Sequence, residues 1–141
     1  MSTQIFVNLP VKHLATSVAF FTQLGFKFNP QFTDENATCM IVSEDIFVML
    51  LVEPFFKTFT PKAIGNAHQT TEVILTLSAE SREKVDELVE TAFRAGGKPS
   101  SETQDQGWMY GRGFEDLDGH LWEVAWMDSS AIKPYRVISS T

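Results

Sequence analysis

What this chain has little of narrows its class first. Among its 141 residues there is one cysteine, Cys39, so no disulfide closes within it. Apolar neighbours on both sides of Cys39 predict a buried thiol in a strand. No apolar run approaches the ~20 residues that a membrane helix needs. The opening Met1-Ser2-Thr3-Gln4 lacks the basic-then-apolar pattern of a secretory signal. A cytoplasmic protein with no membrane partner is the expectation. Basic charge is also scarce: 11 Lys and Arg stand against 18 Asp and Glu, a net charge of −7, and the basic residues are scattered. A nucleic-acid surface needs a basic face, so that partner is excluded too. Hydrophobic residues at 43% and charged residues at 21% match a globular domain.

What is present is one pattern used twice. Gln4 to Val11 alternates and is rich in β-formers, which predicts a strand. Leu14, Val18 and Phe21 follow at helical spacing, and Leu24-Gly25 supplies a stop. Strands are predicted over Phe26 to Thr33, Ala37 to Ser43 and Ile46 to Val52. After a linker, Thr71 to Leu77 reads as a strand. Arg82 to Ala95 reads as a helix, with Val85, Leu88, Val89, Ala92 and Phe93 on one face. Ser81 fits its N-cap, and Gly96-Gly97 ends it. Lys98 to Glu102, Trp108 to Glu115 and His120 to Met127 complete the set, the last two joined by Leu117-Asp118-Gly119.

The fold class is therefore α+β, built of two βαβββ modules: residues 1–53 and 71–128, with a linker over 54–70 and a polar, loosely held tail over 129–141. Each sheet has one face covered by its own helix. The expectation is that the two remaining faces enclose one cavity. Phe55, Phe56 and Phe59 in the linker pack over a sheet edge on one reading, and form a lid or a dimer contact on another.

The phrase Phe114-Glu-Asp-Leu-Asp-Gly-His-Leu-Trp-Glu-Val124 resembles the one that closes the second module in the vicinal-oxygen-chelate superfamily. That superfamily holds glyoxalases (lactoylglutathione lyases), extradiol dioxygenases, and fosfomycin- and bleomycin-resistance proteins. Leu9 to Phe21 followed by Leu24-Gly25-Phe26 is similar to its first strand and helix, and Glu72 to Ser78 with Ser81 to Gly97 to its second. The likeness runs from about Gln4 to Met127 and is nearest to the lactoylglutathione-lyase-related branch.

The resemblance implies four positions for metal ligands, which fall here on Phe6, Met49, Glu72 and Glu123. The duplication pairs Phe6 with Glu72 and Met49 with Glu123. Phe offers no lone pair, and Met suits Cu(I) rather than Zn, Ni or Fe. Two carboxylates without imidazole hold Mg or Ca weakly, with water filling most of the shell. No metal is therefore assigned and no cofactor expected beyond that weak divalent site. His13, His68 and His120 read as a helix-start, a linker and a turn residue, not as ligands.

Two glutamates in one apolar cavity cannot both stay ionised unaided. One acts as a general acid or base, or Arg112 pairs with them, or the ligand brings a cation to Trp108, Tyr110 and Phe114. Alternation adds Asn8 beside Phe6, Leu51 beside Met49, and Ile74 and Thr76 beside Glu72 to the lining, and leaves Trp122 in the core. Two functions follow: a lyase or isomerase using Glu72 or Glu123 for proton transfer next to a carbonyl, or a non-catalytic binder that sequesters a small aromatic or cationic compound, as the bleomycin-resistance members it resembles do. A homodimer protects the sheet edges in either case.

Overall fold

The computed structural model describes residues 2–131. The first module runs β1 (Ile5–Val11), α1 (Leu14–Gln23), β2 (Lys27–Asn29), β3 (Ala37–Ser43) and β4 (Ile46–Val52). A short helix α2 (Glu53–Phe56) opens the linker. The second module runs β5 (Ile74–Ser78), α3 (Arg82–Arg94), β6 (Lys98–Pro99), β7 (Gln104–Asp105), β8 (Met109–Glu115) and β9 (Leu121–Met127). The sheet orders are β1-β4-β3-β2 and β5-β9-β8-β6, with β7 also on β8. In each sheet the first strand lies parallel to the last, so the duplication holds in topology. No helix among the described residues is long and apolar enough to cross a membrane.

Local chemistry explains where the elements fall short of expectation. β2 ends at Asn29 because Pro30 has no N–H for the ladder; the Asn29 side chain instead accepts from Gln31 N at 2.9 Å and starts a 3-10 turn. β5 begins at Ile74 rather than Thr71; ahead of it Asn66 O accepts from Gln69 N and Thr70 N in a turn, and Thr71 Oγ1 donates to Val73 O. α3 starts as expected, with Ser81 Oγ accepting from Lys84 N at 3.1 Å. The expected tail lies, from residue 132 on, outside the described residues.

The two modules meet through their helix-facing sides. Leu9, Val11, Phe20 and Phe21 of the first join Val85, Val89, Phe114 and Trp122 of the second in one buried core. Phe21 packs on Trp122 with ring centres 5.3 Å apart, and Phe114 stacks on Trp122 at 6.3 Å. The expected arrangement, in which the other two faces enclose a shared cavity, is not the one formed within the chain. The seam where apolar area is buried lies on the helix side, and burial dominates the energetics.

Polar bonds rivet that seam at one place. Asp116, buried in the β8–β9 turn, accepts from Asp118 N, His120 N and Trp122 Nε1 at 2.9–3.0 Å. From the turn so fixed, Asp118 reaches the first module, where its carboxylate accepts from Lys12 N at 2.9 Å and from the buried Ser17 Oγ at 3.2 Å. His120 Nε2 lies 2.8 Å from Pro10 O, so the ring donates there. Among the described residues, every side-chain hydrogen bond between the modules passes through this turn.

Candidate functional site

Outside the shared core, each sheet presents its second face. On the first sheet Phe6 and Asn8 share that face with Met49 and Leu51, because Asn8 is opposite Met49 in the parallel register. Phe6 stacks on Phe47 with ring centres 4.8 Å apart, Met49 is half-buried and Leu51 buried. On the second sheet Thr76 is opposite Glu123, and its hydroxyl donates to Glu123 Oε1 at 3.0 Å. The register thus matches Asn8 with Thr76, and Phe6 with Ile74. The expected equivalence of Phe6 and Glu72 is shifted by two residues, since Glu72 precedes β5.

Glu72 and Glu123 are not brought together within the chain. Glu72 is exposed and borders a cleft of about 540 Å³ with Val7 to Pro10 of β1, Leu75, Leu121 and the linker. Glu123, half-buried, lines a different pocket of about 250 Å³ with Thr76, Trp108, Met109, Ala125 and Met127. The two carboxylates share no shell for a divalent ion in one protomer, and no group of three His, Cys, Asp or Glu gathers among the described residues.

Three of the expected lining residues stand on the opposite side of their strand. Arg112 faces Val124 and Phe114 faces Trp122 across the β8–β9 ladder, so both point with Tyr110 toward α3 and the core. Arg112 pairs with Asp86 at 2.9 Å and Glu90 at 2.6 Å, not with the glutamates of the sheet's other face. Tyr110 donates to the same Asp86 oxygen at 2.6 Å. That bond, with Arg112 behind it, holds the Asp86 carboxyl below its usual range against the burial that raises it, and pushes the Tyr110 phenol up. The alternation of Tyr110, Arg112 and Phe114 with Gly111 and Gly113 carried the signal: a bare face beside a bulky one marks the bulky one as the packed side.

The bare side is the pocket floor. Gly111 leaves it open, whereas Gly113 is covered, since a side chain there would collide with the hydroxyls of Ser100 and Ser101. That close approach lays the segment around Ser101 and Glu102 over the strand, where both border the pocket together with Gln104. None of these was expected from sequence. Met127 was within reach of it, standing four residues beyond Glu123 on the same strand face.

Residues 3–43 match the family described as bleomycin resistance protein-like N-terminal. No curated protein matches the chain. A solved structure of a hypothetical protein from S. aureus is 30% identical and superposes with a TM-score of 0.75, covering 89% of this chain and 95% of that one. A glyoxalase/bleomycin resistance protein/dioxygenase family enzyme from Burkholderia phytofirmans PsJN is 15% identical, with a TM-score of 0.73 over 89% of this chain and 99% of that one. A genomically encoded fosfomycin resistance protein from Listeria monocytogenes is 19% identical, with a TM-score of 0.65 over 96% of each chain.

Proposed function

Because the chain belongs to the vicinal-oxygen-chelate superfamily, we propose that it is a small-molecule-binding protein of the sequestering kind, whose ligand seat is the pocket over Glu123. One observation carries the reading. The second-module carboxylate that the superfamily's closing phrase supplies sits half-buried beneath Trp108, Met109 and Met127, while its expected partner Glu72 opens into another cavity. Two separated carboxylates cannot pass a proton between them, and with Phe6 and Met49 as the other positions they do not fit Zn, Ni or Fe. The superfamily's metal chemistry is not carried over to this chain.

Glu123 Oε1 is held by Thr76, and Oε2 has no hydrogen-bond partner among the described residues. That free oxygen supports a second reading, a lyase or isomerase in which Glu123 alone takes a proton. Replacing Glu123 by Gln separates the two. A binder shifts its ligand-induced thermal stabilisation and has no turnover to lose; an enzyme keeps the stabilisation and loses turnover by a factor of about 100 or more. One tightly held Zn, Ni or Fe per purified chain, measured by elemental analysis, would overturn both readings of the site.

The same proposal includes a homodimer. Phe6, Ile74, Trp108 and Met127 are 48%, 53%, 42% and 46% exposed on the two outward sheet faces, large apolar side chains that a second copy would cover. Setting the first-module face of one copy over the second-module face of another covers them and deepens the seat. Analytical ultracentrifugation should give a mass of two chains, and Phe6→Glu should halve it. A wild-type monomer at micromolar concentration removes the dimer.

A further inference from the structure

The segment from Ser100 to Gly107 forms one rim of the Glu123 pocket, and we infer that Arg82 latches it there as a flap, so that release of the latch admits a ligand. The inference rests on the binding seat proposed above and concerns access to it.

The sheet edge is built to lean over the face. β6 pairs Lys98 with Glu115 and Pro99 with Phe114, and β7 pairs Gln104 with Gly111 and Asp105 with Tyr110. Four residues, Ser100 to Thr103, therefore stand against two of β8, Arg112 and Gly113. An edge that carries extra residues breaks its ladder and bends. The bend brings the Ser100 and Ser101 hydroxyls onto Gly113, where a side chain would stop them. Ser101, Glu102 and Gln104 border the pocket in consequence, above a floor of Gly111 and Ala125.

Little main chain holds this flap down. β7 is two residues long, and Gln106 N donates to Met109 O at 2.9 Å to close the return to β8. Trp108 O, accepting from Asp128 N at 2.7 Å, marks the hinge. The grip comes from the other side of the strand. Alternation turns Asp105 to the helix side with Tyr110, one residue beyond the pocket-lining Gln104. There Arg82, at the start of α3, donates two bonds of 2.8 Å to the Asp105 carboxylate and one of 3.0 Å to Gly107 O. Its guanidinium also covers the Tyr110 and Trp126 rings. The helix is itself anchored by the buried Val85, Val89 and Ala92, so the latch ties an exposed edge to a fixed point. Lifting Gln104 off the pocket pulls Asp105 off Arg82. The pair is 35% and 50% exposed, so water competes for both partners and the latch opens without unpacking the core. Loops that admit ligands are drawn from parts of such low local stability.

A thiol under the flap reads its opening with no ligand present. Gly111→Cys places one opposite Gln104, where a side chain meets ordinary contacts only, Met109 Sδ at 3.6 Å and Ala125 Cβ at 3.8 Å. Cys39 is buried at 1% exposure and reports global unfolding in the same sample. The reagent is dithiodipyridine, which is uncharged near neutral pH, so altered charges do not steer it. In the Gly111→Cys chain, Asp105→Asn should raise the labelling rate of the new thiol about five- to tenfold, with Cys39 silent and the urea midpoint unmoved. The charge-balanced pair Arg82→Gln and Asp105→Asn should do the same, which separates the latch from an electrostatic effect on the thiol. Arg82→Lys keeps the charge but loses the two-pronged grip, and should fall between. Lys84→Gln, which removes another exposed pair of the same helix, should leave the rate within about twofold. A new thiol that reacts as fast in the folded parent as in urea overturns the latch. So do rates within about twofold across the Arg82 and Asp105 variants, or Cys39 reacting in step with the new thiol. Because no ligand takes part, this result stands apart from the binding seat, which the Glu123→Gln comparison above tests.

Discussion

Asp116 shows how one buried carboxylate fixes a turn, holding Asp118 N, His120 N and the Trp122 indole at once. Burial pushes its carboxyl above the ordinary range, against the nearby His120 and three donated hydrogen bonds that pull it down. Removing it with Asp116→Ala orphans the Trp122 indole N–H in the core and should cost about 2–3 kcal/mol, read as a lower urea midpoint. The sign of its pH effect is opposite to that of most carboxylates. The folded protein holds this proton above the unfolded value of ~3.9, so the group's contribution is greatest at low pH and declines as pH rises toward the raised folded value. Residues of this kind were only partly legible. Alternation placed Trp122 in the core and Glu123 outward, and both stand there. The strand period alone did not orient Tyr110, Arg112 and Phe114, since it leaves the choice of face open until a partner strand fixes it; the glycines between them were the signal that went unused.

At the level of elements, α3 was readable from its stripe and its Ser81 cap, since both are local. The charged side of the same helix was not, as its partners come from β7 and β8. Arg82 clasps Asp105 through two bonds of 2.8 Å and lies over the Tyr110 and Trp126 rings at 5.0 and 5.3 Å. With Gly107 N also donating, Arg82 holds Asp105 down to about 2. A depressed carboxylate stabilises above its unfolded value, so this contribution is complete above roughly pH 4 and is lost as pH falls toward about 2. Asp105→Asn should flatten that limb of a stability-against-pH curve and change little at pH 7, where the pair is solvent-exposed and weak. β5 was misjudged by three residues because Thr71, Glu72 and Val73 read as strand formers, whereas the ladder with β9 begins only at Ile74 and the Thr71 hydroxyl turns back to Val73 O. That one boundary moves Glu72 off the sheet and separates the two glutamates.

For the molecule as a whole, the repeated strand-helix-strand order foretold two βαβββ modules, while the strand order within each sheet was not read from it. It left open how they meet, because contacts between residues such as Ser17 and Asp118, 101 apart, leave no periodic trace in a sequence. Asp118→Ala removes two of the three polar bonds of the bridge, leaving His120 on Pro10 O, and strands the buried Ser17 hydroxyl, at a cost of about 1–3 kcal/mol. Urea unfolding should then broaden or split into two transitions, and a single unchanged transition would show that the apolar seam, with the His120 bond, couples the modules without it. The bridge also has a bearing on time. Helix α1 has no side-chain cap of its own and no acidic residue in its first turn; the carboxylate at its start belongs to a turn more than a hundred residues later. While the chain is being made, its first half leaves the ribosome well before that turn exists, although domains ordinarily settle from the N-terminal end as they emerge. The opening helix of this protein must wait for nearly the last hairpin, and a nascent chain halted before residue 116 carries it unfinished.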